Sequence, residues 1–183
     1  MSSRPRAPRT FGLSDEFDAE SLVAAAWAAG ETWEACDADT IEAMKTLSDS
    51  GDPGVRYWGT RGLALGVLSH AAVFSEDAIA EATGALTKRL SDSSPSVRLA
   101  AADVLVDFQD EAMQKTAADE LMNLADLPQE GDFIAIAALN VIDRDRETVQ
   151  RLSGKSVSSL RGRWDDTPAR GGDYVQRLLD TDG

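Results

Sequence analysis

The fold of this chain is decided by a short motif that occurs twice, as Asp52-Pro53-Gly54-Val55-Arg56 and as Ser94-Pro95-Ser96-Val97-Arg98. Asp and Ser are favoured at helix N-caps, and proline is favoured at the first helical position, where its missing N–H leaves no hydrogen bond unmade. Each copy of the motif therefore predicts the start of a helix.

The residues after each motif place small and apolar side chains on one helix face. Position zero is Val55 in the first copy, Val97 in the second and Ile134 in a third copy that lacks the arginine. Positions +3, +4, +7 and +8 are small or apolar throughout: Trp58, Gly59, Gly62, Leu63; Ala100, Ala101, Val104, Leu105; Ala137, Ala138, Val141, Ile142. That spacing forms one buried stripe along a helix. Position +6 is polar in every copy and predicts an exposed face: Arg61, Asp103 and Asn140.

Another amphipathic segment precedes each of these helices. The apolar residues that mark the three segments are Ile41, Met44 and Leu47; Ile79, Ala82, Leu86 and Leu90; and Ala118, Leu121 and Ala125. The repeating unit is therefore a helix, a short polar turn and a second helix. Val97 lies 42 residues after Val55, and Ile134 lies 37 residues after Val97. These spacings are close to the ~40–47 residues of the common two-helix repeats.

The sequence predicts an all-α fold of about three helical hairpins with N- and C-terminal capping helices. Because one hairpin cannot cover both of its faces, neighbouring hairpins are expected to stack. We assign residues 1–13 to a flexible Arg/Pro leader, residues 14–161 to the repeat domain and residues 162–183 to an irregular tail with a short docking helix. One capping helix is expected between Asp18 and Gly30, and a closing helix from Thr148 to Leu160.

The two motifs, each followed by small residues, resemble the HEAT-repeat family of α-solenoids. Three stretches further resemble the helical repeat region at the C-terminal end of some bacterial sulfatases: Val55-Arg56-Tyr57-Trp58-Gly59, Ala138-Leu139-Asn140-Val141-Ile142-Asp143 and Tyr174-Val175-Gln176-Arg177. The resemblance covers roughly residues 17 to 180. It implies an α-α superhelix and, as one possible partner, a sulfatase catalytic domain.

The charge and composition exclude several classes of protein. A formal charge of −14 repels phosphate backbones and anionic lipids, which argues against nucleic-acid and membrane partners. The chain has twenty-one Asp and eleven Glu but only four Lys, a usage that resembles proteins of salt-accumulating halophiles. With one cysteine, no apolar signal segment and no membrane span, we expect a soluble cytoplasmic protein without disulfides.

The residues that catalysis needs are scarce. Cys36 lacks the Cys-x-Pro-x-Arg context of the resembling sulfatases, and His70 is the single histidine. The His-Glu pairs of HEAT-like di-iron hydroxylases are missing, and we expect His70, at the end of a repeat helix, to cap the C-terminus of that helix. A HEAT-like DNA glycosylase needs a cationic face, which the charge contradicts. The sequence therefore predicts no enzyme, no cofactor and no metal site, and a HEAT-like enzyme such as a glycosylase or lyase is the last alternative.

The leading hypothesis is a non-catalytic HEAT-like scaffold that binds a protein partner, of unknown oligomeric state. We expect the second helix of each hairpin to line a concave binding face formed by Thr60, Arg61, Asp103 and Asn140, with Arg56 and Arg98 as supports. Asp52 and Asp92 are the expected partners of these supports, and Gly59 and Gly62 are expected to leave space for Tyr57 and Trp58. The alternative is a C-terminal accessory module of a sulfatase, which predicts an exposed apolar patch on the first or last helix.

Overall fold

The computed structural model describes residues 38–70, 75–108, 110–127 and 132–156, and their regular structure is entirely helical. These ranges contain seven helices and no strand: α1 Ala38–Ser48, α2 Pro53–His70, α3 Glu76–Arg89, α4 Pro95–Leu105, α5 Glu111–Ala125, α6 Asp132–Arg144 and α7 Arg146–Ser153. The predicted all-α class is confirmed. The predicted leader, the capping helix near residues 18–30, Cys36 and the tail lie outside the described residues.

The helices form three consecutive hairpins, α1 with α2, α3 with α4, and α5 with α6. The second helices pack in series, because α2 contacts α4 and α4 contacts α6. Among the first helices α1 contacts α3, whereas α3 and α5 make little direct contact. Each second helix also contacts the first helix of the next hairpin, and α7 packs against α5. Every hairpin therefore rests on its sequence neighbour.

The two motifs begin α2 and α4 as predicted, but their caps differ. Asp52 Oδ1 accepts hydrogen bonds from the N–H groups of Gly54 at 2.8 Å and Val55 at 3.0 Å. Ser94 occupies the N-cap of α4 without capping it, because its hydroxyl lies 2.9 Å from the hydroxyl of Ser96. The expectation that both residues cap their helices is thus correct for Asp52 and wrong for Ser94.

The closing helix differs in length from the expectation. It runs from Arg146 to Ser153 and ends before Gly154. Asp145 is its N-cap, and the Asp145 carboxylate accepts a hydrogen bond from the Thr148 N–H at 3.2 Å. Gly154 has a φ of 67°, a left-handed conformation that glycine adopts without a Cβ clash. This glycine stops the helix well short of the predicted end at Leu160.

The core lies along the predicted stripes and is wider than they are. Val55, Val97 and most of the stripe residues are buried. Position +5 is also buried in all three copies, as Thr60, Ala102 and Leu139. Each second helix contacts several neighbours, so that side chains beyond a single stripe are covered.

Gly59 marks the closest approach between α1 and α2. A Cβ at this position would lie 2.7 Å from the carbonyl carbon of Leu47 and closer still to the amide nitrogen of Ser48. The backbone of α1 therefore fills the space beside Gly59, which corrects the expectation that this space serves Tyr57 and Trp58. Those two rings instead contact each other edge to face, with centroids 5.1 Å apart.

Candidate interaction face

The second helices bring two of the three predicted +6 residues into direct contact. Arg61 Nη1 on α2 donates to Asp103 Oδ2 on α4 at 3.0 Å. From the other side, Arg144 Nη2 at the end of α6 donates to Asp103 Oδ1 at 2.6 Å and to the Asp103 carbonyl oxygen at 2.9 Å. We call Arg61, Asp103 and Arg144 the Asp103 bridge. It joins one side chain from each of the three hairpins.

The bridge is accessible to solvent. The side chain of Asp103 is 23% exposed, while those of Arg61 and Arg144 are 39% and 52% exposed. Arg61 uses one of its five N–H donors in the bridge, so most of its hydrogen-bonding capacity remains available. Asp107 lies on the same side, with Oδ2 3.5 Å from Arg144 Nη2.

Arg144 was missed by the sequence reasoning, although a signal for it exists. It lies four residues after Asn140, and residues at i and i+4 share a helix face. Asp107 is related to Asp103 in the same way. The polar row at position +6 therefore continues to Arg144 at the end of α6 and to Asp107 in the turn just after α4.

Asn140 lies on α6 at the position equivalent to Asp103. Its side chain is half-buried and makes no hydrogen bond within the described part of the chain. A primary amide carries two N–H donors and a carbonyl acceptor. Asn140 therefore adds an unused donor and acceptor to the face.

Thr60 does not belong to this face. It is fully buried at 0% exposure, and its hydroxyl has no hydrogen-bond partner among the described residues. Because α2 is packed against α1, α3 and α4, the +5 side of the helix is covered rather than exposed. The prediction that Thr60 lines the binding face is wrong.

Arg56 and Arg98 occupy equivalent places and make equivalent contacts with the turn before their own helix. Arg56 Nη1 donates to the carbonyl oxygens of Ser50 at 3.1 Å and Gly51 at 2.9 Å. Arg98 Nη1 donates to those of Asp92 at 2.8 Å and Ser93 at 3.4 Å. Both arginines therefore fix the turn inside a hairpin.

The same two arginines also reach the next hairpin. Arg56 Nε and Nη2 bind both oxygens of Asp92, at 2.9 and 3.0 Å. Arg98 Nε donates to Glu120 Oε1 on α5 at 2.6 Å. Asp92 is thus a partner as predicted, whereas Asp52 serves as the N-cap of α2.

The pKa of Asp92 is lowered by its surroundings. Burial by itself would raise this pKa. The hydrogen bonds and charge of Arg56, the hydrogen bond from the Ser94 N–H and the charge of Arg89 together outweigh the effect of burial.

Arg89 completes a network at these turns that the sequence reasoning did not find. Its side chain is buried, pairs with Asp49 and lies 3.4 Å from Asp92, while its Nε has no acceptor in the described structure. Lys88 Nζ also donates to Asp49 at 2.7 Å. We call Asp49, Arg56, Lys88, Arg89 and Asp92 the turn network. The pKa of Asp49 is lowered, chiefly by its hydrogen bond from Lys88.

The described residues show no convergence of metal-binding groups. No three His, Cys, Asp or Glu side chains within 41–65, 75–108, 110–127 and 133–156 could hold an ion together. α2 ends at His70 as predicted, but the His70 side chain lies outside what the structure describes. The groups that the second helices do present are guanidinium, carboxylate and amide, whose chemistry is hydrogen bonding and charge pairing.

The apolar patch expected for a sulfatase module is not seen in the described ranges. The one large apolar side chain exposed there is Phe133 on α6, at 65% exposure. A single exposed aromatic residue is ordinary for a protein surface and does not form a patch. The described helices also include none that is long and apolar enough to cross a membrane.

Comparison with known proteins adds no relative to this picture. The chain matches no family model, no curated protein and no solved structure. The resemblances to HEAT repeats and to the sulfatase C-terminal region therefore remain predictions that rest on the sequence motifs.

Proposed function

We propose that this chain is a non-catalytic HEAT-like repeat scaffold that binds a protein partner through the exposed side of α2, α4 and α6. The observation that carries the proposal is the direct pairing of Arg61 with Asp103, two residues 42 positions apart at the same place in successive copies. Together with the contact between Asp103 and Arg144, this pairing aligns the second helices, so that their polar positions form one row across three hairpins.

The packing of the hairpins supports a curved array. The second helices contact each other in series, whereas the first helices α3 and α5 make little contact. When one layer of a stack is packed more closely than the other, the stack curves toward the closer layer. The second helices then line the inner side, which is the side that helical repeat proteins use for extended binding surfaces.

The chemistry of the face favours a protein as the partner. It presents two arginines, two aspartates and an amide within one row: Arg61, Asp103, Asp107, Asn140 and Arg144. Mixed charges with free hydrogen-bonding capacity suit the polar contacts of a protein interface. A nucleic acid is disfavoured because the chain carries a net charge of −14.

Site-specific photo-crosslinking tests the proposal. A crosslinking amino acid at Asn140 is expected to capture a protein in a lysate of the source cells, as a discrete adduct whose composition mass spectrometry identifies. The matched control places the same amino acid at Thr116, which is exposed on the first helix α5.

The outcomes separate the candidate roles. An adduct from position 140 that is missing from position 116 supports the face, and a sulfatase in that adduct would assign the accessory-module role. Equal adducts from both positions, or none at low and high salt, would contradict a binding site on the second helices.

A further inference from the structure

We infer that the Asp103 bridge holds α2 and α6 at a fixed separation across α4, and that the candidate face widens when the bridge is released. This inference concerns the shape of the protein and does not depend on the proposed partner. It assigns to Asp103, Arg61 and Arg144 a conformational role in addition to their place on the surface.

The geometry of the bridge is what gives it this role. The two oxygens of one carboxylate are divided between two hairpins, since Oδ2 accepts from Arg61 at 3.0 Å and Oδ1 accepts from Arg144 at 2.6 Å. α2 and α6 each pack against α4 rather than substantially against each other. The carboxylate therefore links the outer two second helices on their exposed side, where apolar packing does not join them.

The remaining contacts determine what happens on release. Buried apolar residues hold α2 to α4 and α4 to α6, including Leu63, Ala101, Val104, Leu105 and Ile142. These contacts keep the hairpins together when the bridge is lost, so the array opens without unfolding. Asp107, 3.5 Å from Arg144, is the other carboxylate at this place, but it pairs with one hairpin only and cannot replace the link to Arg61.

Ionic strength is expected to act on the same link. All three side chains of the bridge are partly exposed, and exposed charge pairs are screened by salt, with a Debye length of about 3 Å at 1 M. High salt should therefore release the bridge in the unchanged protein. A partner that offers a carboxylate to Arg61 or Arg144 would compete with Asp103 in the same way.

Distance measurement by pulsed electron resonance tests the inference in the full chain. Spin labels are placed on the exposed positions Thr46 of α1 and Ala112 of α5 as cysteines, with Cys36 replaced by serine. Asp103→Asn, which keeps the size of the side chain and removes its charge, is expected to give a shorter and broader distance distribution, because opening the second-helix side about the apolar contacts brings the first helices α1 and α5 closer together. The matched control is Asp119→Asn, because Asp119 pairs with Lys115 inside α5 at 2.7 Å and links no hairpins.

The salt dependence provides the second readout. Raising NaCl to about 1 M is expected to shorten the distance in the unchanged protein and to have a smaller effect in Asp103→Asn, which has already lost the bridge. If Asp103→Asn does not fold by circular dichroism, Arg144→Gln is used instead and should give a smaller shortening, because it releases one of the two arginine contacts of Asp103. Distance distributions that are the same in the bridge variants and the control would overturn the inference.

Discussion

The joint between the first and second hairpins is built differently from the joint between the second and third. Five ion pairs cross the first joint within the described residues: Lys45–Glu81, Asp49–Lys88, Asp49–Arg89, Arg56–Asp92 and Arg61–Asp103. In the same described ranges three ion pairs cross the second joint, and they use only two cations: Arg98–Glu120, Arg144–Asp103 and Arg144–Asp107. The same sequence motif therefore forms different joints, because the acceptor that the next hairpin provides is Asp92 for Arg56 and Glu120 for Arg98.

The residue six positions before each arginine explains much of this difference. Asp92 is six before Arg98 and receives Arg56 from the preceding hairpin. In the third copy the position six before Ala135 is Gln129, which carries no charge and gives Arg98 no carboxylate equivalent to Asp92. Arg98 consequently pairs with Glu120 on a helix instead of with a turn.

The largest effect is expected at the centre of the turn network. Asp92→Ala removes the acceptor shared by Arg56 and Arg89 and leaves two largely buried guanidinium groups with fewer partners. We expect the free energy of unfolding to fall by about 3 kcal/mol, as for other broken buried ion pairs. Urea denaturation measures the change, with Glu42→Ala on the exposed side of α1 as control. A loss no larger than that of the control would refute a structural role for the turn network.

Acid should weaken the first joint more than the second. The pKa values of Asp49 and Asp92 are lowered in the folded protein, so both carboxylates stabilise it above their ordinary pKa of about 3.9. That stabilisation is lost as the pH falls below about 4 and through the lowered pKa values. Urea denaturation between pH 7 and pH 3 should show a smaller acid loss in Asp92→Asn than in the unchanged protein. An equal loss of unfolding free energy between pH 7 and pH 3 in both proteins would contradict a stabilising role for the ionised Asp92.

A smaller effect is expected at the second joint. Arg98→Ala removes one ion pair with Glu120 and two hydrogen bonds to turn carbonyls, all partly exposed to solvent. We expect the free energy of unfolding to fall by about 1–2 kcal/mol, less than for Asp92→Ala. The same urea titrations measure this change. A loss of unfolding free energy as large as that of Asp92→Ala would contradict the difference between the two joints.

The smallest effect has the opposite sign. Thr60→Val puts a methyl group in place of a buried hydroxyl that has no hydrogen-bond partner among the described residues, and we expect the free energy of unfolding to rise by about 1 kcal/mol. Thr83→Val is the matched control, because the buried Thr83 hydroxyl donates to the Ile79 carbonyl oxygen at 2.7 Å. Thermal or urea denaturation should show a higher free energy of unfolding for Thr60→Val and no such rise for Thr83→Val. Destabilisation by Thr60→Val would mean that the Thr60 hydroxyl is satisfied in solution.

The local pattern predicted the helices well because it depends on short-range spacing. The apolar periodicity located both helices of each hairpin, and the motifs located the starts of α2 and α4. The same pattern misplaced Thr60. An apolar stripe predicts burial on one side of a helix, whereas α2 packs against other helices on more than one side. Arg89 and Arg144 escaped notice because their partners Asp49 and Asp103 lie 40 and 41 residues away.

The contacts of Arg56 with Asp92 and of Arg61 with Asp103 align the turns and the second helices of successive hairpins. A double-mutant cycle on Arg56 and Asp92, 36 residues apart, tests this alignment most directly. With Arg56→Met and Asp92→Asn, the account predicts a coupling free energy of more than about 1 kcal/mol, whereas Arg56 and Asp119 should be additive within about 0.5 kcal/mol. Additive effects of Arg56→Met and Asp92→Asn would contradict the stacked arrangement.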